Sequence, residues 1–85
     1  MKVKLVLEHP PRLADGVLEV LELRRPTVAD VLAIEQLGDR PDFEKDVALV
    51  SRLAGRPRED IEALDVADFG AVQEALQGFF SPRSS

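Results

Sequence analysis

Up to Arg25 apolar and polar side chains alternate, and beyond Pro26 apolar positions recur every three or four residues. Val3, Leu5 and Leu7 form one face of a first strand, with Lys2, Lys4, Val6 and Glu8 on the other. Leu21-Glu22-Leu23-Arg24 repeats the period of two. Pro10-Pro11 stops the first strand and Asp15-Gly16 offers turn chemistry, which predicts a second strand starting near Val17. Antiparallel pairing of Leu5 with Leu21 would set Val3 by Leu23, Val6 by Val20 and Lys4 by Glu22. That register gathers apolar residues on one face and opposes unlike charges.

The grammar changes between Leu23 and Gln36, in "LRRPTVADVLAIEQ". Pro26 cannot donate to a sheet ladder, and Thr27 can cap a helix with Asp30 in its first turn. Val28, Val31, Leu32 and Ile34 then follow at helical spacing, predicting a first helix over 28–37 that stops at Gly38. Asp39, Pro41 and Asp42 announce a second helix of about 14 residues. Its broad apolar face comprises Phe43, Val47, Val50 and Ala54, flanked by Leu49 and Leu53. Gly55 and Pro57 end it, a short helix over 57–63 carries Ile61 toward Leu64, and Asp65 can cap a last helix over 66–78. Phe69, Val72, Leu76 and Phe79 form the stripe of that helix.

These elements predict an α+β fold: an N-terminal two-stranded antiparallel β-hairpin followed by three to four α-helices. A lone hairpin is marginal in water, so its apolar face is expected to pack on the helices. Residues 1–80 are expected to form a single domain. Ser81-Pro82-Arg83-Ser84-Ser85 has nothing to bury and is expected to be a flexible tail.

Charge narrows the function classes. The net charge of -5 is uneven: residues 1–26 carry five basic and four acidic side chains, and residues 27–85 carry six basic and twelve acidic ones. An acidic helical part argues against nucleic-acid binding, which displaces counterions with lysine and arginine. Arg24-Arg25 is the candidate for a local basic patch. A helix-turn-helix regulator built around Gly55 would need a basic recognition helix, whereas Glu59, Asp60, Glu62 and Asp65 make that region acidic. No apolar run approaches a membrane span, and the expected setting is a soluble intracellular one without membrane attachment.

Chemistry-bearing constellations are sparse. Cysteine is absent, which removes disulfides, thiolate nucleophiles and thiolate metal sites. His9 is the sole histidine, beside Pro10-Pro11 in a loop, where a solvated side chain is expected. Asp30, Asp39, Asp42, Asp65 and Asp68 sit at predicted helix starts, where they stabilise the dipole and accept backbone hydrogen bonds. The 39–46 cluster lacks the spaced acids, glycine and terminal glutamate of a calcium loop. The glycines are scattered, with no phosphate-binding loop among them. Gly70, inside a helix where glycine costs about 1 kcal/mol relative to alanine, is read as a mark of close helix packing. The expectation is therefore no catalytic, cofactor-binding or metal site. A small enzyme subunit is the alternative that loss of activity on mutating one carboxylate would favour.

Apolar surface without an obvious destination is more informative. Val6, Leu18 and Val20 are assigned to the strand face opposite Leu5 and Leu21, and Phe79 and Phe80 cannot both point inward from the end of the last helix. Either helices cover both sheet faces, or Val6, Leu18, Val20, Phe79 and Phe80 mark a partner-binding surface. Open sheet edges also make strand addition or self-association physically available.

"LRRPTVADVLAIEQ", "DVALVSRLAGRPREDIEALD" and "VADFGAVQEALQGFF", in that order and spacing, resemble the Mu-like family of bacteriophage tail assembly chaperones. The resemblance implies a small non-enzymatic protein without a cofactor. Such a protein binds the tape measure protein of a phage or prophage tail, keeps it soluble in the host cytoplasm, assists tail tube assembly and is absent from the mature virion. It further implies, as partners, the tail tube protein and a frameshifted longer form of the chain itself. Phe79-Phe80 could be encoded by a uridine run suited to slippage. The alternatives are a helix-turn-helix-like DNA-binding regulator and another acidic protein-interaction adaptor, and a homo-oligomer is compatible with each.

Overall fold

The computed structural model describes residues 2–80, so the tail expected at 81–85 lies outside the described residues. Eight elements follow one another: β1 (Lys2–Val6), β2 (Arg12–Leu13), β3 (Gly16–Val17), β4 (Val20–Arg24), α1 (Val28–Glu35), α2 (Asp42–Ala54), α3 (Arg58–Glu62) and α4 (Val66–Phe80). The α+β order of a paired N-terminal sheet and four helices is the one the hydrophobic pattern predicts.

Strands β1 and β4 pair antiparallel in the expected register, Val3 with Leu23, Lys4 with Glu22, Leu5 with Leu21 and Val6 with Val20. Glu22 lies between Lys2 and Lys4, 3.8 Å from each ammonium, so the exposed face carries the complementary charges anticipated. The predicted start of the second strand is corrected. Val17 belongs to a separate two-residue ladder, Arg12 with Val17 and Leu13 with Gly16, which closes over Ala14-Asp15 with Gly16 at φ 125°. A positive φ is readily available to glycine, so the connection folds into a second small hairpin. Its base is tied to the main one, where the Leu18 N–H donates to Pro11 and the Leu7 N–H donates to Glu19.

That step changes the side-chain alternation. Leu18 and Leu21 are both buried while Glu19 and Val20 between them are exposed. Leu18 therefore lies in the core, 6% exposed, and the expectation that it shares the outer strand face with Val6 and Val20 is overturned.

The core is formed by Leu7, Leu18, Leu21 and Leu23 of the hairpins against Val47, Leu49, Val50 and Leu53 of α2. It is closed by Ile61, Leu64 and the α4 stripe Phe69, Val72 and Leu76. Helix α2 ends with Gly55 in the left-handed region, φ 65°, and the Arg56 N–H reaches back to the Ser51 carbonyl at 3.2 Å. That closure satisfies carbonyls the helix would otherwise leave free. Asp65 caps α4 as expected, accepting from the Ala67 N–H at 2.9 Å.

Helix α1 departs furthest from expectation. Its sole fully buried residue is Asp30, whereas Val28, Val31 and Leu32 are exposed and Ile34 packs against the core edge. Asp30 and Ile34, four residues apart, share the face turned to the fold, which necessarily turns Val28 and Leu32 outward.

Candidate protein-interaction surface

The orientation of α1 is decided by electrostatics. Asp30 is 1% exposed and accepts Nη1 and Nη2 of Arg24 at 2.7 and 2.8 Å, and Nε of Arg52 at 3.0 Å. It also accepts the Thr27 N–H at 2.8 Å and the Thr27 hydroxyl at 3.2 Å, at the start of its own helix. The fork of Arg24 matches both carboxylate oxygens. Its hydrogen bonds, and then that of the Thr27 amide, hold the Asp30 carboxyl well below the usual carboxylate range. One carboxylate thus joins the end of β4, the start of α1 and the last turn of α2. The sequence signal was the helix-start position of Asp30, but its two arginine partners were not legible.

Asp68 has a similar role at the other end of the sheet. Nearly buried at the start of α4, it accepts the Glu8 N–H at 3.0 Å and the His9 N–H at 2.9 Å. These two backbone bonds lower its proton affinity. Both carboxylates are engaged by structural donors, Asp30 by side chains and its own helix start and Asp68 by the backbone after β1. No group of three or more potential metal-ligating side chains converges among the described residues.

Several arginines are similarly committed. Arg24 is bound to Asp30, and the guanidinium of Arg25 stands 5.6 Å from the centroid of the Phe79 ring. Arg24-Arg25 consequently does not form a free basic patch. After Gly55 comes α3, five residues long, in which Arg58 bonds Glu62 and Glu44 while the preceding Arg56 bonds Asp60. A short acidic helix with its cations paired lacks the means of reading a DNA groove.

What remains open is apolar surface. Val6 and Val20, directly opposite each other across the sheet, are 78% and 40% exposed. Phe80 is 53% exposed, while Phe79 is half-buried against the core edge, so the two terminal phenylalanines divide as their adjacency required. Val20 and Phe80 line separate concavities, and the expected residues do not assemble into one site.

The structure adds apolar surface beyond the residues singled out from the sequence. Val28 is 76% exposed and Leu32 58%, with Val31 beside them. Phe43, on the broad apolar face of α2, is also exposed, its ring 5.2 Å from that of Phe69. With Val66 it borders a largely apolar concavity of about 230 Å³ floored by Val47, Ile61, Leu64 and Phe69. A signal for α1 was present: five of its eight residues are bulky or small aliphatics besides Ile34, more than one neighbouring helix can cover.

Residues 4–81 match the family described as phage tail assembly chaperone proteins, E, or 41 or 14. The chain belongs to this family. The match spans the hairpins and all four helices, and bears out the resemblance seen in the three sequence segments. No curated protein and no solved structure matches the chain. For a tail assembly chaperone the relevant surface is one that meets other proteins of the tail, and outward-facing apolar groups are its physical requirement. No helix among the chaperone's described residues is long and apolar enough to cross a membrane.

Proposed function

We propose that this chaperone binds the tape measure protein of a phage or prophage tail in the host cytoplasm, keeps it soluble before assembly and assists tail tube formation around it. The protein acts by binding, without catalysis or cofactor. The observation that carries this reading is the inversion of α1, whose carboxylate is buried while Val28, Val31 and Leu32 face outward. An apolar helix face left in water is unfavourable by about 25 cal/mol per Å² relative to a covered one, so a client's apolar stripe gains by covering it. Val6 and Val20 on the outer sheet face and Phe80 at the end of α4 offer further apolar contact.

The tail tube protein and a frameshifted form of the chaperone are further partners on this reading. The test is co-expression with the long helical reading frame downstream, followed by affinity capture and sizing. Co-purification together with increased solubility of the tape measure protein supports the role. A stably expressed tape measure protein that ignores the folded chaperone contradicts it.

A further inference from the structure

A concavity of about 710 Å³ runs between α2 and α4. Its apolar lining is Leu49 and Leu76, both nearly buried, with the exposed Phe80. Asp46 and Glu74 stand on its walls. Neither carboxylate takes part in an ion pair among the described residues, and the donor recorded for Asp46 is the neutral amide of Gln73 at 3.0 Å. By contrast Arg24, Arg40, Arg52, Arg56 and Arg58 are all spent on other acids.

Gly70 lines the same groove, inside α4. The expectation that it permits close packing within the fold is overturned, because a Cβ built there meets nothing within 4 Å. Glycine at a helix interior is unfavourable relative to alanine, and here no internal contact offsets it. What the missing side chain does provide is open space over Gly70, at the start of a stripe in which Gly70, Gln73, Gln77 and Phe80 follow at intervals of three and four residues with Glu74 at its flank. From Gly70 to Phe80 the stripe is about 15 Å long at 1.5 Å per residue, the length of nearly three helical turns.

We infer that this groove seats one amphipathic α-helix of the client chain, its backbone passing close over Gly70, its apolar residues on Leu49, Leu76 and Phe80, and a lysine or arginine between Asp46 and Glu74. The inference rests on the chaperone reading above and adds to it the place and chemistry of the contact. Charge complementarity selects a basic helix, since an acidic one would bring like charges onto two uncompensated carboxylates.

Competition inside one cell tests it. Tagged tape measure protein is co-expressed with equal amounts of wild-type chaperone and a variant distinguishable by mass, and the ratio of the two in the captured complex is read. Gly70→Ala is expected to raise the melting temperature by about 4–8 °C, from helix propensity, while its share of the complex falls at least threefold. Glu74→Lys is expected to fall at least fivefold, whereas Glu59→Lys, on exposed α3 and outside the groove, keeps its share. Equal capture of Gly70→Ala, Glu74→Lys and wild type overturns the groove while leaving the chaperone role intact. Failure of wild type itself to be captured removes the chaperone reading and the groove with it. A free chaperone that sizes as a dimer and becomes monomeric on Glu74→Lys assigns the groove to a second copy and also overturns the inference.

Discussion

Replacing Asp30 with alanine removes the acceptor of five hydrogen bonds, three of them from guanidinium groups. Stranding one member of a buried ion pair costs about 3–5 kcal/mol. Here the stranded members are Arg24 and Arg52, whose side chains are already 41% and 43% exposed and can turn into water. Solvent screening therefore takes the ionic part below that range, to about 1.5–2 kcal/mol, and loss of the helix-start contact to Thr27 adds about 0.5–2 kcal/mol. The expected loss is about 2–4 kcal/mol, against the roughly 4–13 kcal/mol total that 0.05–0.15 kcal/mol per residue gives for a chain of this size. Urea unfolding followed by far-ultraviolet circular dichroism reads it directly. At a slope of about 1–1.5 kcal/mol per M, the midpoint moves down by about 2 M.

The pH dependence has a definite sign. Asp30 holds its proton less tightly folded than unfolded, where its pKa is about 3.9. Its contribution is complete above about pH 5 and is lost as the pH falls below that of the unfolded carboxyl toward the lower folded value. The gap between wild type and Asp30→Ala should consequently shrink between pH 5 and strongly acid solution. Asp30→Ala within 1 kcal/mol of wild type at pH 7, or a gap that widens in acid, would refute the assignment of α1's orientation to this carboxylate.

Other perturbations separate core from surface. Leu18→Ala should cost about 2–5 kcal/mol in the same unfolding experiment, as a core leucine does, and a loss under 1 kcal/mol would return Leu18 to the outer face. Lysine substitutions at Val6, Val20 or Phe80 should leave the fold intact and weaken capture of the tape measure protein; unfolding of these variants would place the positions in the core. Val28→Lys with Leu32→Lys should change stability by no more than about 0.5 kcal/mol per site while reducing capture, and unchanged capture would remove α1 from the binding surface.

Much of the fold was legible because it is carried by short-range signals. Period-two alternation and the placement of lysines against Glu22 specify the register of β1 and β4, since a slip of one residue would expose Leu21 and Leu23. Gly55 and Asp65 mark helix ends through local backbone chemistry that no distant contact needs to supply. The failures concern long-range geometry. Periodicity identifies an apolar stripe on α1 but not the side on which neighbours lie, and the pairing of Asp30 with Arg52, 22 residues away, decides that.

The same limit explains the mixed outcome for the candidate surface. Val6, Val20 and Phe80 are exposed as strand parity and helix-end crowding suggested. Leu18 is buried because the small hairpin shifts parity between Val17 and Val20, an irregularity invisible to a strict alternation. Gly70 was conspicuous for its cost in a helix, yet only the surrounding empty space distinguishes a groove floor from a packing contact.

The most direct test of the central claim is to dilute denatured tape measure protein into buffer with increasing amounts of the folded chaperone and measure the fraction remaining in the supernatant. The account predicts that this fraction rises and saturates at a fixed ratio of the two chains, with a complex of defined size. A tape measure protein that pellets equally with and without the chaperone would contradict it.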